Sequence, residues 1–207
     1  MNKKSYLFIV ISILAYSSTC ISQTITYYQD GSEKSKGLIQ QNLKEGQWEF
    51  FYPDGTLSAI ENYRKNVLHG KLKTFYLDSS IKEVENWKDG LLMDSAFYFY
   101  KNGQLKKEGM YLEGLYTGKW MFYFESSVLR REGYYKLGIP NGNWKHYNEN
   151  GFLIQEGEYL EGKESGYWKY YDDKGFLYFE GRYENGKEVG EWFKINKKGK
   201  RKLYKKY

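Results

Sequence analysis

Tryptophan recurs in this chain at a fixed interval, and that interval limits the possible folds more than any composition does. Trp120, Trp144, Trp168 and Trp192 stand 24 residues apart, and three further steps of 24 back from Trp120 reach Trp48. The two skipped positions hold Leu72 and Ala96, which keep the phase without the indole. With the Trp as position 0, other columns align. Position +3 is Phe51, Phe75, Phe99, Tyr123, Tyr147 and Tyr171; position +9 is Leu57, Ile81, Leu105, Leu129, Leu153 and Leu177; position +15 is Tyr63, Trp87, Tyr111, Tyr135, Tyr159 and Tyr183. Glycines fall at +7, +13, +18 and +22, for example Gly175, Gly181, Gly186 and Gly190. A repeat of this length, free of insertions, calls for an array in which each unit packs on its neighbours.

Within one unit, a short aromatic run (Trp168 to Tyr171) meets Asp172-Asp173-Lys174-Gly175, and a second run (Phe176 to Tyr183) meets Glu184-Asn185-Gly186. These read as two strands and two turns, because aromatic and β-branched residues suit a pleated surface and Asn-Gly supplies the positive φ of tight hairpins. Gly166, at +22, is read as the preceding turn. On the second strand +9, +11, +13 and +15 share a face, so the glycine at +13 leaves a gap that a neighbouring aromatic ring is expected to cover. Pro53 and Pro140 are the only prolines, both beside predicted turns, and leave the strands uninterrupted. One hairpin is marginal in water, so successive hairpins must pair edge to edge. The fold class is therefore all-β, an elongated antiparallel β-meander of tandem 24-residue β-hairpin repeats. Such a sheet has little true interior, and Tyr and Trp suit it because they bury a ring while the polar tip stays wet. That accounts for 23 tyrosines beside a mean hydropathy of -0.79.

The pattern carried by Gly166, Trp168, Tyr171, Gly175, Leu177, Gly181, Tyr183 and Gly186 resembles MORN repeats, and is most similar to the bacterial variant repeats often labelled the antitoxin component of a toxin-antitoxin module. The resemblance covers roughly residues 24 to 207. It implies a β-hairpin array used as a scaffold or binding surface, with membrane association for some members and no catalytic residue to carry over. Glu61 and Glu85 depart from the pattern at +13, and Asp94 departs at +22. The expected division is a signal peptide at 1–22, a degenerate N-terminal capping repeat at 23–47, six repeats at 48–191, and a C-terminal half-repeat with a basic tail at 192–207.

The N-terminus has the form of a secretory signal: Met-Asn-Lys-Lys, an apolar run from Tyr6 to Tyr16 that is short for a membrane span, then small and polar residues. The mature protein is expected to be exported to the periplasm, cell surface or medium, either cut after Ser22 or held by a lipid on Cys20. Ser17-Ser18-Thr19 makes a poor lipobox, which favours simple cleavage. Cys20 is the only cysteine, so no disulfide framework exists within the chain. At the other end, the last 14 residues hold eight cations: Lys194, Lys197, Lys198, Lys200, Arg201, Lys202, Lys205 and Lys206. These eight and Lys3 and Lys4 leave 22 of the 32 basic residues against 26 acidic ones, so residues 23–193 carry about -4. The basic balance belongs to the tail. Such a run can hold an anionic membrane or, as the less favoured partner, a nucleic acid. The plainer reading is that the lysines keep an open sheet edge from pairing.

Motifs for chemistry are weak. Gly114-Leu-Tyr-Thr-Gly118-Lys119 is one residue short of a phosphate loop, has Trp120 where Ser or Thr is needed, and precedes no helix. His69 and His146 occupy different repeat positions and lack a partner at ligand spacing, so no metal is expected. Acid pairs such as Asp172-Asp173 and Glu83 with Glu85 are read as turn or solvent-face residues. Aromatic excess is the stronger signal. At +2 and +4 the earlier repeats carry Phe50 and Tyr52, Tyr76, Tyr98 and Tyr100, and Phe122 and Phe124; Asn148, Asp172 and Asn196 stand at +4 later. One sheet face is thus expected to be aromatic in the first half of the array. That face is either self-packed or a candidate binding site for a protein or glycan. The overall expectation is a non-enzymatic exported scaffold without cofactor, presenting a sheet to a protein partner at the cell envelope. The alternatives are a membrane tether that uses the tail or Cys20, and an immunity-like protein.

Overall fold

The computed structural model describes residues 21–207, so most of the signal segment and Cys20 lie outside the described residues. Every element is a strand. In chain order these are β1 (Ile21–Tyr27), β2 (Glu33–Gln40), β3 (Leu43–Phe51), β4 (Leu57–Arg64), β5 (Val67–Leu68) and β6 (Gly70–Phe75). Next come β7 (Ile81–Lys88), β8 (Leu91–Leu92), β9 (Asp94–Phe99), β10 (Leu105–Leu112), β11 (Leu115–Tyr123) and β12 (Leu129–Lys136). The last are β13 (Ile139–Tyr147), β14 (Leu153–Leu160), β15 (Lys163–Tyr171), β16 (Leu177–Glu184), β17 (Lys187–Ile195) and β18 (Arg201–Lys206). Each pairs antiparallel with its sequence neighbour, and β5 with β6, like β8 with β9, is one strand interrupted, at His69 and at Met93. The result is the open hairpin meander that the 24-residue period predicts.

Two kinds of turn alternate. At +17 and +18 both central residues have positive φ, as in Asn185 (51°) with Gly186 (78°) or Lys65 (51°) with Asn66 (68°), the mirror-image turn whose twist matches flanking strands. At +4 to +8 the chain closes a three-residue loop: the Gly55 N–H donates to the Tyr52 carbonyl (2.9 Å) and the Tyr52 N–H to the Thr56 carbonyl (2.8 Å), with Gly55 left-handed at +85°. The glycine at +22 is not a turn, as the sequence suggested, but a bulge inside a strand: Gly118 (64°), Gly166 (69°) and Gly190 (65°) lie within β11, β15 and β17. The strand therefore begins five residues before its Trp rather than at it.

The bulge serves the contact that organises the core. The glycine at +13 is covered by the Trp of the next repeat, so closely that a Cβ would stand 2.3 Å from the Trp48 ring at Gly37, 2.2 Å from Trp120 at Gly109 and 2.2 Å from Trp144 at Gly133. Gly157 beneath Trp168 and Gly181 beneath Trp192 repeat the contact at 2.1 and 2.0 Å. Between β12 and β13 the register jumps from Gly133↔Trp144 to Tyr135↔Pro140, which takes Tyr134 out of the ladder. Its carbonyl then accepts the Trp144 indole N–H at 3.2 Å. Leu38, Met110 and Glu158 serve Trp48, Trp120 and Trp168 in the same way, at 3.1, 3.0 and 3.2 Å. Burial of Trp48, Trp120, Trp144, Trp168 and Trp192 is nearly complete.

The two repeats without a ring use a different arrangement. Leu72 and Ala96 stand where the Trp would be, and the glycines they would cover are Glu61 and Glu85, each followed by an asparagine. The Asn62 side-chain amide donates to the Lys71 carbonyl (2.6 Å) and that of Asn86 to the Ser95 carbonyl (2.7 Å). The carbonyls of Asn62 and Asn86, which an indole would otherwise occupy, accept the N–H of His69 and Met93, both at 2.8 Å. Glycine-plus-Trp and Glu-Asn-plus-small are thus two complete solutions to one packing problem.

Mixing the two solutions is expected to fail. Gly133→Ala drives a methyl into the Trp144 ring and should cost roughly 1–3 kcal/mol by overpacking. Gly133→Glu alone should lower the urea midpoint further than Gly133→Glu combined with Tyr134→Asn and Trp144→Leu, which rebuilds the Glu61, Asn62 and Leu72 arrangement.

Candidate binding surface

The sheet has two faces of different character. One carries the tryptophans, with +2, +11, +13, +15 and +20 beside them, as cross-strand pairs such as Phe122↔Arg131 and Gly118↔Tyr135 show. Here each +15 tyrosine stands edge-on to the next Trp: Tyr111 on Trp120, Tyr135 on Trp144, Tyr159 on Trp168 and Tyr183 on Trp192, all with centroids 5.1 Å apart. Cations fill the gaps. The Lys44 ammonium lies 4.5, 4.7 and 4.6 Å from the Trp48, Phe50 and Tyr63 rings, Lys107 lies 3.9 Å from Tyr98, and the Arg131 guanidinium 4.2 Å from Phe122. Burial pushes the Lys44 ammonium below its ordinary range, with Glu61 opposing.

Glu85 belongs to this face and is 7% exposed, so its expected place on a solvent face is corrected. The reason is the missing ring: with Ala96 opposite, the carboxylate fills part of that space. It accepts the Trp87 indole N–H at 3.0 Å and the Tyr98 hydroxyl at 2.5 Å, while Tyr98 and Tyr111 share a hydrogen bond of 3.0 Å. Burial, then the hydrogen bond to Glu85, pushes the Tyr98 phenol far above its ordinary value. The network fixes a core.

The seven aromatic candidates divide. Phe50, Tyr98 and Phe122 are on the Trp face, where Phe122 is buried and the other two half-buried. Tyr52, Tyr76, Tyr100 and Phe124 are not on a strand face, because each first strand ends at +3 and position +4 begins the turn. The hydroxyls of Tyr28, Tyr52, Tyr76 and Tyr100 each donate to the +3 carbonyl of the following repeat, of Phe51, Phe75, Phe99 and Tyr123, all at 2.8 Å. They stitch successive turns together. From Asn148 onward the +4 side chain folds back on its own turn, as Asp172 accepts the N–H groups of Lys174 (2.9 Å) and Phe176 (3.0 Å), although the Asn148 amide also donates to the Asp173 carbonyl of the next turn at 2.9 Å. The change from aromatic to polar at +4 is an exchange of turn chemistry.

The opposite face carries a charge ladder and an apolar stripe that sequence reasoning missed. The +3 tyrosines donate to the +12 glutamates of the preceding repeat, Tyr123 to Glu108 at 2.8 Å and Tyr171 to Glu156 at 2.6 Å. Lys119 pairs with Glu132 at 2.8 Å, and Lys145 and Lys169 flank Glu156 at 3.9 and 3.8 Å. Toward the tight turns lie Met110, Leu112, Leu115, Tyr134, Ile139 and Leu160, each 41% to 55% exposed. Leu112 pairs across the hairpin with Leu115, whereas Ile139 pairs with Lys136 and Leu160 with Lys163, so the apolar side chains are interspersed with lysines from unit to unit. The signal was present in column +19, which holds Val67, Leu91, Leu115 and Ile139 before Lys163 and Lys187, and only at Leu112 and Leu160 in column +16, where Arg64, Lys88, Lys136 and Glu184 also stand.

Of the basic candidates, Lys197, Lys198 and Lys200 lie in the last turn and Arg201, Lys202, Lys205 and Lys206 on β18, all exposed. Arg201 pairs with Glu180 at 2.9 Å and Lys206 with Glu191 at 3.5 Å. His69 lies 3.4 Å from Asp89, and His146 stacks on Trp144, where burial and then Arg131 hold it below its ordinary value. Among the described residues no group of three or more His, Cys, Asp or Glu side chains is placed to hold a metal.

The family model of the MORN repeat variant matches residues 44–65, 95–113, 116–137 and 140–161. The interval 66–94 between the first two matches contains Leu72 and Glu85, and residues 162–207, with Trp168 and Trp192, are likewise unmatched. No curated protein matches the chain. Among solved structures, the crystal structure of TcdB2-TccC3 is similar over 83% of this chain at 10% identity with a TM-score of 0.23, and this chain spans 12% of that one.

The hydrogen-bonded tyrosines predict how alkali acts. Burial, then Glu108, pushes the Tyr123 phenol up to about 12, and Tyr98, Tyr111 and Tyr170 are raised in the same direction, chiefly by burial. The fold thus holds these protons more tightly than the unfolded chain, in which tyrosine ionises near about 10. Their contribution to stability is complete below that value and lost as pH climbs through about 12. The urea midpoint should be level from neutral pH to about pH 9 and fall above about pH 10, where the β-sheet signal read by circular dichroism should be lost at progressively lower urea.

Proposed function

The chain is a MORN-variant repeat protein, and from that premise we propose that it is a non-enzymatic, exported scaffold that binds a protein partner at the cell envelope. The observation that carries this reading is the set of exposed apolar side chains Met110, Leu112, Leu115, Tyr134, Ile139 and Leu160, spread over three repeats on the face opposite the tryptophans. Repeat arrays suit extended contact because each unit adds surface along one line. Large apolar side chains ringed by the Lys-Glu pairs of the same face have the composition of an interface centre with a polar rim. The non-catalytic reading rests on the family, whose members typically lack catalytic chemistry, and export rests on the N-terminal segment.

Two aspartates or glutamates placed in the stripe should separate binding from folding. Leu115→Glu with Ile139→Glu is expected to leave the circular dichroism spectrum unchanged, since both residues are about half exposed. It should abolish the specific cross-links that the native chain makes in its own cells. Retention of those cross-links, with the fold intact, would remove the stripe from the interface.

A second reading is favoured by the seven exposed cations from Lys197 to Lys206, gathered on one terminal hairpin. Anionic surfaces attract such clusters at about 1 kcal/mol per residue. Vesicles containing anionic lipid should retain the chain at low salt and release a variant in which Lys197, Lys198, Lys200 and Lys202 are changed to Gln. Equal retention of both eliminates the tether.

A further inference from the structure

The two ends of the array are not alike. Among the described residues β1 pairs with β2 alone and β18 with β17 alone, so each offers a free edge. β18 is guarded by Arg201, Lys202, Lys205 and Lys206, the usual protection of an open edge. β1, Ile-Ser-Gln-Thr-Ile-Thr-Tyr, has no charge, no proline and no bulge before its last residue. Ile21, Ile25 and Tyr27 are 57%, 38% and 57% exposed on the face they share, and Thr24 and Thr26 lie on the other. The stretch Gln23 to Tyr27, of high β-propensity and without a charged side chain at an edge, is a template for pairing.

We propose that β1 is a dimerisation edge, pairing antiparallel with β1 of a second copy of this chain about a two-fold axis, so that the two sheets become one. Three edge pairings between copies are conceivable, and charge and register choose among them. Two β18 strands would set four cations against four. A β18-to-β1 junction would continue the array head to tail, but continuation requires a ring at position 0 over a glycine at +13, and the residues at those places are Thr24 and Lys205. Only β1 against β1 meets neither obstacle. With the axis at Ile25, Gln23 faces the partner copy's Tyr27, Thr24 faces Thr26, and Ile25 faces itself. Threonine pairs and apolar pairs of this kind stabilise antiparallel strands. The contact is isologous and therefore closes at two copies. It uses residues 23 to 27, which survive cleavage after Ser22.

Light scattering on the size-fractionated chain tests this. The native chain and a Leu203→Pro variant on β18 should show twice the mass of one copy, and Ile25→Lys and Thr24→Pro on β1 should show the mass of one, with unchanged circular dichroism. In a Cys20→Ser background, Ile25→Cys should form an intermolecular disulfide on mild oxidation, whereas the same substitution at Leu203 should not. A native chain of single mass, a dimer indifferent to both β1 variants, or a dimer lost through β18 would each overturn the proposal. So would an open-ended series of masses abolished by changes at either edge, which is the signature of head-to-tail growth.

Discussion

A tryptophan ring lying on a glycine of the preceding strand, with its indole N–H donated to the next carbonyl along, is the contact from which the rest of this structure follows. The ring cannot approach unless the strand beneath has no side chain, and the carbonyl cannot accept unless the register slips beside it. A glycine at +13 and a bulge at +22 satisfy those two conditions, and the spacing between them sets the strand lengths. Once Gly133 is under Trp144, Tyr135 must stand edge-on to the same indole. Period, register and aromatic ladder are therefore one constraint expressed in three places.

The exception shows that the constraint is local. Where Leu72 and Ala96 replace the ring, the glycine, the residue after it and the continuity of the strand all change together, in both instances. Because each unit touches only its neighbours, an array can hold a different packing solution over two units without disturbing the others. The cost of the second solution is a buried carboxylate, offset by an indole and a phenol that donate to Glu85. An unpaired buried carboxylate would be far more expensive than a missing ring.

The sequence disclosed the period, the places of both turns, the all-β class and even the ring over the +13 glycine, because those depend on residue type at fixed spacing. It did not disclose the bulge. Glycine at +22 has the same appearance whether it ends a strand or kinks one, and that ambiguity moved the strand start. The same limit affects the aromatic candidates: alternation along a strand cannot say where the strand stops, so it places Tyr52 and Tyr100 on a face although their hydroxyls clasp the next turn. The joint departure of Glu61 with Leu72 and of Glu85 with Ala96 was visible as letters. It becomes interpretable only when the residue 11 positions on is known to lie on top.

Aromatic abundance is a misleading guide to a binding face in a sheet of this thickness. A globular domain buries its rings in an interior; a single-layer array has none, so it must pack rings against each other on one of its faces. In this chain the Trp face is consumed by that task, with Lys44, Lys107 and Arg131 filling what the rings leave. The opposite face contributes less to holding the array together, and there the largest apolar side chains stand half exposed while the glutamates and lysines neutralise one another. Recognition is therefore expected where the sequence is poorer in aromatics, because those residues are not already committed to the fold.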